Sequence, residues 1–154
     1  MTATRRLYRN ARLIDPASGL DAPGDLLVEG DRIAALGPNL GQGIGDDVEI
    51  VDLAGLCLAP GLVDMRVQLR EPGAEHMESI ESGGQAAAAG GVTTMVALPN
   101  TEPPVDDLPV VEFLARRARE VKLAKIHTYA AATKGLAGRE IGRASCRERV
   151  SYHV

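Results

Sequence analysis

The sequence is poor in the features that would place a protein outside the cell or in a membrane. Its two cysteines, Cys57 and Cys146, are too few for a disulfide framework, so a cytoplasmic setting is predicted. It has no apolar run long enough to span a bilayer, and residues 1–6 lack a signal-peptide pattern. The net charge of -4 argues against a nucleic-acid partner. A composition with 45% hydrophobic residues suits a globular protein.

The first third of the chain is predicted to be a small β domain, residues 1–57. Short β-prone segments alternate with turns rich in glycine and aspartate, and glycines at 41, 43 and 45 mark a longer loop. That loop has no following helix, so it does not predict a phosphate-binding site. The predicted strands are residues 7–14, 24–29, 32–37, 48–52 and 56–59.

From residue 58 onward the pattern changes to alternating strands and helices, which is typical of a parallel sheet. Ser79 or Ser82 is expected to cap the first helix, which Gly90 ends, and Asp107 is expected to cap the second. The second helix has one apolar face, formed by Val111, Leu114, Ala115, Ala118 and Val121. The predicted helices and strands are a helix at 79–89, a strand at 92–98, a helix after Asp107 and a strand at 124–131.

The most informative segment, residues 64–73, reads DMRVQLREPG and follows an apolar run at 56–63 that predicts a buried strand. It resembles the first barrel strand of the dihydroorotases, members of the amidohydrolase superfamily, whose pattern is Asp-x-His-x-His-Leu-Arg-x-Pro-Gly. The resemblance covers nearly all of residues 5–140. Other matching segments are Glu75-His76, AAAAGG at 86–91, PNT at 99–101 and TKGLAG at 133–138.

The resemblance implies an α/β fold in two parts. Residues 1–57 would form a small N-terminal β-sandwich, a composite domain. Residues 58–140 would form the first three βα units of a TIM (β/α)8 barrel. A complete barrel takes about 250 residues, so this barrel is incomplete. A parallel sheet with open edges should be unstable alone, and the 154-residue chain is therefore predicted to be poorly soluble or partly unfolded.

Two histidines of the family pattern are missing here, because Arg66 and Gln68 occupy their positions. Residues two apart on a strand share a face, so a His-x-His pair can grip one metal ion. Arginine stays protonated and has no lone pair to offer, and an amide oxygen is a poor zinc ligand. We expect the usual zinc centre to be absent, with the Arg66 guanidinium in its volume. The alternative is a site rebuilt from other residues, although neither His76 nor His127 lies at a suitable offset.

The substrate-binding residues of the family are retained. The resemblance implies that Arg70 and Asn100 bind the substrate carboxylate, because each follows a barrel strand on the face where such sites form. The alternatives are a surface salt bridge for Arg70 and a turn residue for Asn100. Asp64 is expected to be structural, His76 to form loop hydrogen bonds, and His127 to lie in a core or interface. The catalytic base and remaining metal ligands of the family fall beyond residue 140, so no catalytic residue is assigned.

Two functions from different classes follow from the resemblance. The favoured one is a metal-site-degenerate dihydroorotase homologue of de novo pyrimidine biosynthesis, inactive itself and acting as a non-catalytic partner of aspartate carbamoyltransferase. The alternative is an active zinc dihydroorotase that interconverts carbamoyl aspartate and dihydroorotate, a hydrolase of cyclic amides. A hydantoinase- or allantoinase-like cyclic amidase is less favoured, given the LREPG and PNT segments.

Residues 141–154 resemble a translated sequencing adapter. The codons ATC GGA AGA GCG TCG TGT AGG GAA AGA GTG spell residues 141–150 in order, and they match a short-read sequencing adapter. This segment is therefore predicted to be an artefact, and the alternative is a real basic C-terminal tail. Cys146 and His153 then carry no function.

Overall fold

The computed structural model describes residues 4–142, so the predicted adapter segment lies outside the described residues except for its first two positions. The chain divides into two compact units, Met1–Pro60 and Gly61–Val154. Among residues 4–142, neither helix is both long enough and apolar enough to cross a membrane.

The first unit is a mixed sheet of five strands, which are β1 (Arg5–Asp15), β2 (Leu20–Glu29), β3 (Arg32–Gly37), β4 (Val48–Asp52) and β5 (Cys57–Leu58). Their order is β3-β2-β1-β4, and β5 also pairs with β1. β2 runs antiparallel to both β1 and β3, whereas β4 and β5 run parallel to β1. The buried apolar residues of this unit are Leu7, Ala11, Leu13 and Val48.

The second unit alternates strands and helices, in the order β6 (Leu62–Val67), α1 (Ile80–Ala89), β7 (Val92–Ala97), α2 (Leu108–Val121) and β8 (Lys125–Thr128). The three strands are parallel and lie in the order β6-β7-β8, with a helix in each connection. This confirms the predicted alternation and its parallel sheet. A short 3-10 helix, Lys134–Leu136, follows the third strand.

Both helices begin where their caps were predicted. The Ser79 hydroxyl accepts from the Ser82 backbone N–H, and the Ser82 hydroxyl accepts from the Ser79 N–H, which completes a capping box at α1. The Asp107 carboxylate accepts from the Leu108 N–H at the start of α2. The predicted apolar face of α2 is confirmed, since Leu114 and Ala118 are buried against the sheet.

One core lies between the second sheet and its two helices. Burial of these apolar side chains away from water is the main source of stability for such a layer. Its buried members are Leu69, Ile80, Ala87, Met95, Ala97, Val105, Leu114, Ala118 and Ile126.

The apolar run at residues 56–63 is divided between the two units, so the prediction of one buried strand is wrong. Its first part forms β5 beside β1, and its last residues open β6. Leu62 and Val63 are 60% and 57% exposed. The reason is that β6 pairs only with β7 within residues 4–142 and is therefore an edge strand.

We expect the exposed apolar residues of β6 to drive self-association of the 154-residue chain, because an open strand edge is a template for pairing. The substitution Val63→Lys should lower the average mass measured by light scattering after size exclusion. Gln85→Lys, on the exposed side of α1, is the matched control and adds the same charge away from the edge. Equal masses for the parent chain and Val63→Lys would contradict the expectation.

Candidate functional site

The candidate site lies at the carboxyl ends of the parallel strands. Val67 packs against the core and Leu69 is buried in it. Because strand residues alternate between faces, we expect Arg66 and Gln68 on the opposite face of the sheet, and both are exposed. The shared face of residues 66 and 68 stays a prediction, because β6 ends at Val67 and its pairing with β7 is irregular between Asp64 and Val67.

Gln68 is already engaged by a neighbour. Its Oε1 atom accepts a hydrogen bond from Nη2 of Arg70 at 2.8 Å. The backbone of Arg70 is also fixed, since its N–H donates to the Glu78 carbonyl at 3.2 Å and its carbonyl accepts from the Ala74 N–H at 2.8 Å. Arg70 is thus held in place by both its backbone and its side chain.

Glu71, next in the chain, points into the protein and is 5% exposed. One carboxylate oxygen accepts from Nε of Arg117 on α2 at 2.7 Å, and the other accepts from the Ile80 N–H at 2.9 Å. The pairing with Glu71, helped by Glu120, raises the pKa of Arg117. Glu71 therefore ties the segment after β6 to the beginning of α1 and to α2. This role was not predicted from the sequence.

The loops that follow β6 and β7 touch each other. The Pro72 carbonyl accepts from the Glu102 N–H at 2.9 Å. Gly73 has a φ of +109°, and a Cβ atom there would overlap the Glu102 carbonyl oxygen and lie 2.6 Å from the Glu102 side chain. The Gly73 N–H also donates to Glu75 and lowers the pKa of that carboxylate. The two loops can approach this closely only because residue 73 has no side chain.

Asn100 follows β7 on the second of these loops. Its Oδ1 atom is buried and has no hydrogen-bond partner among residues 4–142. The loop around it is closed by two contacts, in which the Val105 N–H donates to the Pro99 carbonyl at 3.0 Å and the Thr101 hydroxyl donates to the Pro103 carbonyl at 2.7 Å. Because a buried acceptor without a donor is costly, Asn100 is a candidate for binding a ligand at this face.

Tyr129 is a further residue at this face, and it was not among the residues predicted from the sequence. Its hydroxyl donates to the Met65 carbonyl at 3.1 Å, although the two residues are 64 positions apart. It stands two positions after His127, and the buried side chains of Ile126 and Thr128 place His127 on the opposite face from the core. That period-two spacing was the available sequence signal for Tyr129.

Three other residues with predicted roles lie in or near these strands. Asp64 accepts from the Arg66 N–H at 2.9 Å, which agrees with its expected structural role. His127 is half-buried. His76 is exposed near Glu75, and its expected role in loop hydrogen bonding stays a prediction.

The residues at this site do not fit the zinc centre that the resemblance implies. Arg66 has no lone pair, and the amide oxygen of Gln68 accepts from Arg70. Over residues 4–142, no group of three or more His, Cys, Asp or Glu side chains is arranged to hold a metal ion.

Solved structures show the fold to which this arrangement belongs. The L-hydantoinase (dihydropyrimidinase) of Arthrobacter aurescens superposes with a TM-score of 0.67 at 21% identity, over 86% of this chain and 28% of that one. Molinate hydrolase gives a TM-score of 0.64 at 22% identity, over 99% of this chain and 36% of that one. The fold is that of the amidohydrolase TIM-barrel enzymes, of which this chain supplies the first part.

Sequence comparison narrows this class to one family. The family model described as dihydro-orotase-like matches residues 55–152. The dihydroorotase of Pelobacter propionicus is 45% identical over 135 residues, and that of Wolbachia sp. subsp. Drosophila simulans is 48% identical over 126 residues. This chain belongs to the dihydroorotase family of the amidohydrolase superfamily.

The matched region is only part of each relative. It takes in 88% of this chain but 31% of the Pelobacter propionicus protein, and 82% of this chain but 28% of the Wolbachia protein. The family match runs to residue 152 and so includes much of the segment predicted to be an artefact, which stays a prediction.

Proposed function

We propose that this chain is a dihydroorotase-family protein of pyrimidine biosynthesis that binds carbamoyl aspartate or dihydroorotate without hydrolysing a cyclic amide. One observation carries the proposal. The side chain at a metal-ligand position of the family, Gln68, is hydrogen-bonded to the residue that would bind the substrate carboxylate, Arg70. In this chain, position 68 thus belongs to the carboxylate-binding part of the family site and no longer to its metal-binding part.

The retained side chains suit a ligand that carries both a carboxylate and N–H groups. Arg70 has several guanidinium N–H donors, and one of its nitrogens donates to Gln68. The other donors remain available for a carboxylate. The buried Oδ1 atom of Asn100 accepts from no donor within residues 4–142 and suits a ligand N–H. Dihydroorotate has a carboxylate and ring N–H groups, and carbamoyl aspartate has carboxylates and a ureido group.

Arg66 gives the same face a second cationic side chain. In this proposal its guanidinium lies where the family binds its metal and supplies positive charge there. That charge attracts anionic ligands but cannot generate a nucleophile from water, as a bound metal ion does.

The proposed role of the assembled protein rests on Arg66 and Gln68, which stand in place of the histidine pair of the family pattern. We propose that it acts in the cytoplasm as a non-catalytic partner of aspartate carbamoyltransferase. Co-expression of the two proteins followed by size exclusion tests this, with co-elution expected. Separate elution at micromolar concentration would contradict the partnership while leaving ligand binding intact.

The second candidate is an active zinc dihydroorotase. It is favoured by the names of relatives that are 38% to 48% identical to this chain. It requires metal ligands other than residues 66 and 68, since these two do not fit.

The test measures metal, turnover and binding on one preparation. We expect the chain, after incubation with zinc and removal of the excess, to hold far less than one zinc per molecule by elemental analysis. It should not hydrolyse dihydroorotate, yet calorimetry should detect binding of dihydroorotate. Stoichiometric zinc with turnover would establish the second candidate, and absence of binding would refute the proposal.

A further inference from the structure

We propose that Gln68 is a positioning residue that holds the Arg70 guanidinium ready for the carboxylate of the ligand. The inference rests on the proposed function, because it concerns the same site and ligand class. It assigns a role to Gln68, which occupies a metal-ligand position of the family.

The contact is specific in its geometry. The Oε1 atom of Gln68 lies 2.8 Å from Nη2 of Arg70, which is the length of a strong hydrogen bond to a charged donor. Within residues 4–142, Gln68 is the only side chain bonded to Arg70, and Arg70 takes part in none of the ion pairs. Without Gln68, the long arginine side chain would be free to sample many rotamers. Restricting the side chain to one of these rotamers on binding would cost conformational entropy and weaken the affinity for the ligand.

The chemistry of the holding group matters as much as its position. A neutral amide accepts one hydrogen bond and leaves the full positive charge of Arg70 for the ligand. A carboxylate at residue 68 would hold the guanidinium as firmly, but it would neutralise the charge and repel an anionic ligand. Glutamine therefore positions Arg70 without competing for its charge.

The same contact explains why position 68 does not serve both roles. The amide oxygen that a metal ion would need is directed at Arg70. The Arg70 guanidinium next to it would also repel a cation. Position 68 has thus moved from the metal-binding half of the site to the carboxylate-binding half.

A double-mutant cycle on the 154-residue chain tests the inference, with dihydroorotate affinity measured by calorimetry. Gln68→Ala should weaken binding about five- to tenfold, since one hydrogen bond to a charged group is lost. Arg70→Ala should weaken it more. The double variant should bind no more weakly than Arg70→Ala alone, because Gln68 acts through Arg70. Gln68→Glu should bind more weakly than Gln68→Ala.

Two controls separate positioning from a general structural effect. Dihydrouracil has the same ring without the carboxylate, so its affinity should be equal for the parent chain and Gln68→Ala. Gln85→Ala, on the exposed side of α1, should leave dihydroorotate affinity unchanged.

Three results would overturn the inference. The first is parent-like dihydroorotate affinity in Gln68→Ala. The second is an equal loss of affinity when Gln68→Ala is added to Arg70→Ala. The third is a parent chain that does not bind dihydroorotate, and only this one also refutes the proposed function.

Discussion

Replacing Gly73 with alanine should destabilise the second unit strongly, although it adds only one methyl group. The φ of +109° at this position is strained for any residue with a Cβ atom, and the added methyl group would overlap the Glu102 carbonyl oxygen. Backbone strain and overpacking each cost about 1–3 kcal/mol, so a total loss of about 2–6 kcal/mol is expected. Urea unfolding followed by circular dichroism measures it.

Gly91→Ala is the matched control for the Gly73 substitution. Gly91 also has a positive φ, +76°, but a Cβ atom there would have no neighbour within 4 Å. Its replacement should cost only the strain of the left-handed conformation, about 1–2 kcal/mol. Equal losses for the two variants would show that the contact between the two loops contributes nothing.

Glu71→Ala should also lower stability strongly, because it removes one carboxylate that serves two partners. Ile80 is fully buried, so its N–H would lose its acceptor and have no access to water. An orphaned buried donor costs about 1–3 kcal/mol, and the loss of Arg117 as a partner adds to this. Glu71→Gln should have an intermediate effect, since the amide keeps one acceptor. The midpoints of thermal unfolding of the variants measure this order of stability.

Glu120→Ala provides the comparison for Glu71→Ala. Glu120 pairs with the same arginine, Arg117, at 2.8 Å, but its side chain is 52% exposed. Exposed ion pairs contribute little to stability, so Glu120→Ala should leave the unfolding midpoint almost unchanged. A large shift for Glu120→Ala, or none for Glu71→Ala, would contradict the role assigned to burial.

Local patterns predicted most of the second unit. The helix caps at Ser79 and Asp107 and the apolar face of α2 depend on residues one to four positions apart, which the sequence displays directly. The parallel order of β6, β7 and β8 follows from the alternation of strands and helices.

The features that escaped prediction depend on residues far apart in the chain. The contact between Glu71 and Arg117 joins positions 46 apart, and that between Tyr129 and Met65 joins positions 64 apart. The period-two spacing from His127 could place Tyr129 on its face, but no periodic pattern pairs the two residues of either contact. The division of residues 56–63 also has a non-local cause, because β1 takes the first part of the run as a partner.

The candidate site was predicted through resemblance rather than through composition. The positions of Arg70, Asn100, Arg66 and Gln68 could be assigned because a family pattern contains them. The hydrogen bond between Gln68 and Arg70 could not, because residues on one strand face have several rotamers and the pattern does not select among them.

The burial of the Glu71 side chain has a consequence for the evolution of such chains. A mutation at Glu71 or Gly73 would be removed by selection on folding alone, in a lineage with or without enzymatic activity. Arg66 and Gln68 are exposed, so the fold tolerates substitutions at those two positions. A gene that lost its chemistry would therefore keep the Glu-Pro-Gly part of the signature, at Glu71 and Gly73, for as long as its product folded. Among descendants of an enzyme, that signature records ancestry more faithfully than it records catalysis.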